Sequence, residues 1–231
     1  MIVMPANSTG WFWHCLARES GKLGHLFSPL AQRGPWQWFP YALDNGAFSA
    51  WDITDNSFDE KKWNEHAWKC LLVWAASQTQ KPLWAIVPDR PGCAQQTIER
   101  WSKYAGIVKE IGIPLALAVQ DGMTAEMVKA LTPLPDVIAV GGSTQWKWET
   151  VEMWAKAFTR VHLLRCNMPD KLEYLESIGI ESCDGTGWCR GDRRQTTGLE
   201  LWARGNPTPT TSNIAQYVCR QPKNKLQTFF A

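Results

Sequence analysis

The chain has 231 residues, a formal net charge of +2, and 45% apolar against 20% charged residues. Those proportions describe a globular protein with a sizeable core, in which a single barrel-sized domain fits comfortably. They exclude a binder whose whole surface is basic, so any polyanionic partner would have to meet a local patch.

No apolar run approaches the roughly 18 to 20 residues that span a bilayer. The opening "MIVMPANSTGWFWH" has neither the basic flank nor the long apolar stretch of a signal peptide. The expectation is a cytoplasmic protein without a membrane partner. The seven cysteines, at 15, 70, 93, 166, 183, 189 and 219, are odd in number and form no CxxC pair. That pattern predicts neither a disulfide framework nor a structural zinc site, so no metal or other cofactor is expected. Most of the fifteen tryptophans belong to core or helix packing, with a few left as surfaces on which bases stack.

In chain order, the first apolar run is "MIVMPANS" (1–8), ending in Asn7 and Ser8. "GHLFSP" (24–29) is a short second candidate, and "YALDNGAF" (41–48) a third, carrying Asp44, Asn45 and Phe48. A tryptophan-rich stretch with helical spacing (59–78) follows, and from there strand and helix alternate. The runs are "PLWAIVPD" (82–89), "PLALAVQDG" (114–122), "DVIAVGGS" (136–143), "RVHLLRCN" (160–167) and "GIESCDGTG" (179–187). Helical spacing fills 94–112, 124–134, 148–158 and 168–179 between them. These runs are almost continuously apolar, as parallel strands covered on both faces are.

Eight candidate strands close a (β/α)8 TIM-type barrel over 1–205. An open doubly wound sheet is the alternative if "GHLFSP" is a loop. The polar, proline-containing 206–231 segment reads as a C-terminal extension packing on the barrel. "VGGS" (140–143) lacks the lysine of a phosphate-binding P-loop.

A parallel barrel gathers its site at the carboxyl ends of its strands. There the sequence places Asn7 and Ser8, Asp44 and Asn45, Asp89, Gln120 and Asp121, Gly141 and Gly142, Arg165 and Asn167, and Asp184. A strand-end aspartate also serves as a plain helix N-cap, but several at successive ends converge on one mouth. One ionised carboxylate there can attack an anomeric carbon while a second handles protons, the logic of retaining glycosidases. A third carboxylate and a glutamine amide match the N–H and carbonyl edge of a guanine-like base. His162, inside an apolar run, reads as a satisfied core histidine, and Trp188 as a packing or base-stacking ring.

The ordered succession "LDNGAF" (43–48), "VPD" (87–89), "AVQDG" (118–122), "VGGS" (140–143), "HLL" (162–164) and "GIESCDGTG" (179–187) resembles the motifs of the tRNA-guanine transglycosylase superfamily. The likeness covers roughly residues 40 to 194 and is strongest toward the short phage-type members that insert a 7-deazaguanine into DNA. Among the cysteines here there is no counterpart of the zinc subdomain that the tRNA members carry.

The resemblance implies an enzyme, a nucleic-acid guanine transglycosylase, in which Asp184 is the nucleophile and Asp44 the general acid or base. Phe48 would stack on the base, with Asn45 beside it. Asp89, Gln120, Gly141 and Gly142 would read its edge. Where the tRNA members have proline-threonine-arginine after the nucleophile, this chain has "GTGWCRGDRR" (185–194), so Arg190, Arg193 and Arg194 are assigned to phosphates by charge and position. Gly185 and Gly187 would let the backbone approach the sugar closely. The expected partners are DNA, with RNA possible, and a free 7-deazaguanine such as preQ0, in the host cytoplasm if the protein is phage-encoded. The alternatives are RNA modification, a base-excising glycosylase or nucleoside hydrolase, and a nucleic-acid-binding module without turnover.

Overall fold

A computed structural model of the protein describes residues 1–5, 10–29, 38–52, 54–55, 57–189 and 193–206. The chain opens with β1 (Ile2–Pro5), α1 (Trp11–Ser20), β2 (His25–Phe27) and β3 (Tyr41–Leu43). A hairpin of β4 (Trp51–Asp52) and β5 (Ser57–Phe58) precedes α2 (Glu65–Ser77). The repeating part is β6 (Ala85–Ile86), α3 (Ala94–Ile111), β7 (Leu115–Val119), α4 (Ala125–Lys129), β8 (Val137–Val140), α5 (Thr144–Ala157), β9 (Val161–Leu163), α6 (Leu172–Ser177), β10 (Ser182–Gly185) and α7 (Arg193–Ala203).

Eight strands form one parallel sheet in the order β1-β10-β9-β8-β7-β6-β3-β2. The ends of that series meet. Val3 donates its N–H to Lys22 O and accepts from Gly24 N–H, both at 2.9 Å, and an isolated parallel bridge pairs it with Leu23 just ahead of β2. The sheet is therefore a nearly closed barrel of the (β/α)8 TIM type, and the open doubly wound alternative is eliminated.

Alternation along the strands explains why both faces read as apolar. Met4, Leu26, Ala42, Trp84, Ile86, Ala116, Ala118, Val137 and Ala139 pack together inside the barrel. Their alternating strand neighbours Val3, Leu43, Ala85, Leu117, Val119, Ile138, Val140 and Leu163 belong to the separate layer beneath the helices, with Leu16, Leu71, Trp101, Val151 and Trp154. Four small alanines on three strands, Ala42, Ala116, Ala118 and Ala139, leave the interior room for the indole of Trp84, which is fully buried.

Local signals set the helix starts. Asn64 caps α2 by accepting from Ala67 N–H at 2.9 Å, and the Thr124 and Ser143 side chains cap α4 and α5. All eight expected strands are present. The sequence reading did not anticipate α1, α7 or the β4–β5 hairpin, and α4 is shorter than the 124–134 segment allotted to it. Among the described residues, no helix is long and apolar enough to cross a membrane. The expected extension beyond residue 206 lies outside the described residues.

Candidate active site

The carboxyl ends of the barrel strands enclose a cavity of about 220 Å³ whose walls include Asp44, Phe48, Asp89, Gln120, Arg165 and Asp184. That volume lies below the roughly 300–1,000 Å³ of sites for drug-sized ligands, so a single planar bicyclic ring is the scale of ligand it suits. Asn45, Gly141, Gly142, Trp51 and Thr186 complete the parts of the lining that matter to its chemistry. Of the strand-end residues expected there, Asn7 and Ser8 lie outside the described residues, as does Arg190.

Asp184 is the penultimate residue of β10 and is buried. Its Oδ1 accepts the backbone N–H of Arg165 at 2.8 Å and lies 3.2 Å from His162 Nε2. Asp44 follows β3, whose pairing with β2 continues through a 2.7 Å bond from Asp44 N–H to Phe27 O. Burial, with the nearby charges of Asp184 and then Asp89, lifts the Asp44 carboxyl from an ordinary 3.8 to about 7, against the opposing pull of the Asn45 and Gly46 backbone N–H groups. Three acids share one pocket, so charging the last of them is the costliest step. Asp44 is thus a carboxyl able to give or take a proton near neutrality.

Asp89 is the most tightly held of the three. Asn45 Nδ2 donates to its Oδ1 and Gln120 Nε2 to its Oδ2, each at 2.8 Å. Asn45 is itself fixed by donating to Val87 O at 3.0 Å and accepting from Ala47 N–H at 2.7 Å. Gln120 Oε1 accepts Gly92 N–H at 3.0 Å. Burial raises the Asp89 carboxyl above its ordinary value, while the Asn45 bond and the charges of Arg100 and Arg165 work the other way. A buried carboxylate with both oxygens in amide contacts is a rigid acceptor.

Arg165 is the cation of the pocket, and its role was not read from the sequence. Its guanidinium lies 4.6 Å over the Phe48 ring and its Nη2 donates to Gly142 O at 2.6 Å. Its backbone takes the left-handed φ of 55°, a conformation that costs on the order of 1 kcal/mol in a non-glycine residue and marks functional sites. Buried Lys147 on α5 braces that turn, with Nζ donating to Leu164 O at 2.7 Å and Arg165 O at 3.3 Å. Burial in turn lowers the Lys147 and Arg165 pKa values. The sequence signal available was a charged residue directly after "HLL"; its backbone angle is a tertiary property.

Phe48 is 48% exposed at the cavity rim, on the 3-10 turn Ala47–Ala50, with Trp51 from the unanticipated hairpin packed edge-on at 5.4 Å. Gly141 and Gly142 follow β8. At Gly142 the φ is 71°, and a Cβ would run into the Asp121 carboxylate and Trp146. Asp121 faces away from the chemistry: it clamps the β8 loop, accepting Ser143 N–H at 2.6 Å and Ser143 O–H at 2.5 Å.

The reason for the glycines after Asp184 differs from the expected one. Neither Gly185 nor Gly187 has a left-handed φ. A Cβ on Gly185 would lie 2.7 Å from Cys166 O and 2.8 Å from Trp188 Nε1, and one on Gly187 would meet the Asn167 and Gln195 amides. Close packing of the protein on itself excludes side chains there. Asn167 fastens the turn by accepting Gly187 N–H at 2.8 Å. Trp188 is fully buried, so its ring packs rather than stacks on a base.

Arg193 and Arg194 are exposed in the first turn of α7. Since α7 follows β10, topology carries both to the cavity's end of the barrel. Among the described residues, no group of three or more His, Cys, Asp or Glu is arranged to hold a metal ion. Comparison with protein-family models and with curated proteins finds no match for this chain.

Proposed function

We propose that the protein is a base-exchanging glycosyltransferase that replaces guanine in DNA with a 7-deazaguanine through a covalent aspartyl-sugar intermediate. The observation that carries this reading is the convergence of Asp44, Asp89 and Asp184 on one small cavity, with Asp44 lifted to about 7. Those three acids take three separate tasks. Asp184 attacks, Asp44 moves a proton near neutrality, and Asp89 stays fixed as a reader of N–H groups.

In the first half-reaction a carboxylate oxygen of Asp184 bonds to C1′ of a flipped guanosine nucleotide, and the C1′–N9 bond breaks with its electron pair going to the base. The Asp44 carboxyl supplies the proton that leaves the base neutral. In the second, the incoming deazaguanine gives its N9 proton to the Asp44 carboxylate. Its N9 then bonds to C1′ and releases Asp184 as a carboxylate. Two inversions retain the sugar configuration.

Recognition follows from the same residues. Asp89 accepts N1–H and the exocyclic amine, and the Gln120 amide with the backbone N–H of Gly142 donates to O6, because the Gly142 carbonyl is occupied by Arg165. Phe48 offers a face to the ring. Arg165 offsets the acids toward a polyanion. Arg193 and Arg194 sit at a helix N-terminus, where a cation does not help the helix, and bridge to the phosphates of an extruded nucleotide. DNA is preferred over RNA on the likeness to the short phage-type members.

The test offers labelled preQ0 and labelled guanine separately with duplex DNA, single-stranded DNA and tRNA, using the wild type and Asp184→Asn. Label entering DNA with the wild type alone supports the proposal. Label in tRNA alone reassigns the reaction to RNA, guanine release without incorporation makes it a hydrolase, and no turnover at all leaves a binding module.

A further inference from the structure

Behind Asp184 lies a buried polar pair that the proposed reaction does not use. His162 on β9 and Ser182 on β10 both have fully buried side chains and stand opposite each other in the strand register. His162 Nδ1 is 2.8 Å from Ser182 Oγ and Nε2 is 3.2 Å from Asp184 Oδ1. The indole of Trp84 packs against the imidazole with ring centroids 4.6 Å apart.

The chemistry of the partners fixes the roles. An ionised carboxylate only accepts, so the nitrogen facing Asp184 is the N–H; in a neutral imidazole the other nitrogen then accepts the Ser182 hydroxyl proton. Polar groups in the apolar interior of a barrel cost free energy unless paired, and both ring nitrogens here are paired. A histidine serving packing alone has no need to spend its second nitrogen on a cavity carboxylate.

What that bond does is make the two oxygens of Asp184 unequal. Oδ1 receives two donors, the Arg165 N–H at 2.8 Å and His162 Nε2 at 3.2 Å, and among the described residues no hydrogen bond reaches Oδ2. Rotation of the carboxylate about its Cβ–Cγ bond would break both contacts. We infer that His162, backed by Ser182, is a positioning residue that ties down Oδ1 and presents Oδ2 as the oxygen that attacks. This rests on reading Asp184 as the nucleophile.

The consequence is a split between binding and chemistry. His162 touches neither base nor sugar, so His162→Ala is expected to bind free guanine as the wild type does in calorimetry. Its single-turnover covalent capture of a guanine-containing DNA oligonucleotide is expected to slow roughly 10- to 100-fold, the range seen when outer partners that orient metal-site ligands are removed. His162→Gln, whose amide can donate from nearly the position of Nε2, is expected to recover most of that rate. Equal rates for Ala and wild type, or a loss in guanine binding that matches the loss in rate, overturn the assignment.

A second measurement keeps the pair testable if no base is exchanged. In ¹⁵N NMR of the full chain the His162 Nε2 resonance is expected as a protonated nitrogen whose shift moves in Asp184→Ala. An unchanged shift overturns the pairing. A shifted resonance in a wild type that turns over no base leaves the pair standing while the proposed reaction falls.

Discussion

Asp44 binds its proton far more tightly in the folded chain than in an unfolded one, about 7 against 3.8. Between those values the folded state holds a proton that the unfolded state has released, so this group's contribution to stability falls as pH rises through the window. Asp44→Asn mimics the protonated carboxyl. Its Tm is expected to match the wild type near pH 4 and to exceed it at pH 8, by about 2–4 °C for each kcal/mol of relief. Scanning calorimetry at the two pH values checks this, and an equal shift at both would remove the cause assigned here. The same proton sets a rate prediction: base exchange should decline above about pH 7 as the acid is lost. A profile flat from pH 6 to 9 argues against Asp44 as the proton donor. Asp44, Asp89, Gln120 and Asp184 were legible because each ends an apolar run, and a parallel sheet brings all such ends to one mouth. Arg165 was placed at that mouth by the same logic, but its role and that of His162 were not legible, since they depend on a backbone angle and on cross-strand register.

At the level of elements, the turn after β10 is fixed by protein contacts. Gly185→Ala sets a methyl against Cys166 O and Trp188 Nε1, and overpacking of this kind costs about 1–3 kcal/mol. Thermal unfolding should show that loss, whereas exposed Thr186→Ala, one residue on, should stay within about 0.5 kcal/mol of wild type. A tolerant Gly185 would mean that the turn relaxes and that Asn167 does not lock it. The strands were readable even where only two or three residues pair, because burial on both faces leaves a continuous apolar run. The missed α1, "WFWHCLARES", begins without a side-chain cap and starts on aromatic residues, so it lacks the usual opening signal. The β4–β5 hairpin is two residues a side, too short for alternation to show. It still matters, because it delivers Trp51 to Phe48.

For the whole molecule, a net charge of +2 leaves little general attraction for a polyanion, so the nucleic-acid affinity that the proposed function requires would have to come from few contacts. If Arg193 and Arg194 each meet one phosphate, replacing both with Gln should flatten the slope of log affinity against log salt by about 2 for duplex DNA. Filter binding across a salt series measures it; a slope unmoved by the double replacement places the backbone path elsewhere on the barrel. The ring of eight strands was countable from the sequence, and its closure followed from that count; the residues of the seam did not, since Lys22 and Leu23 pair with Val3 just ahead of the "GHLFSP" run.

The contact between Trp84 and His162 gives the barrel a built-in optical probe. The emission of an indole responds to the polar groups it touches, so the brightness of one fluorophore is tied to the surroundings of the group behind Asp184. With fifteen tryptophans in the chain, the signal emerges as the difference between the protein and its Trp84→Phe counterpart. A dye-free trace of that difference, followed while a ligand fills the cavity, would time events at the Asp184 carboxylate without a reagent entering the site.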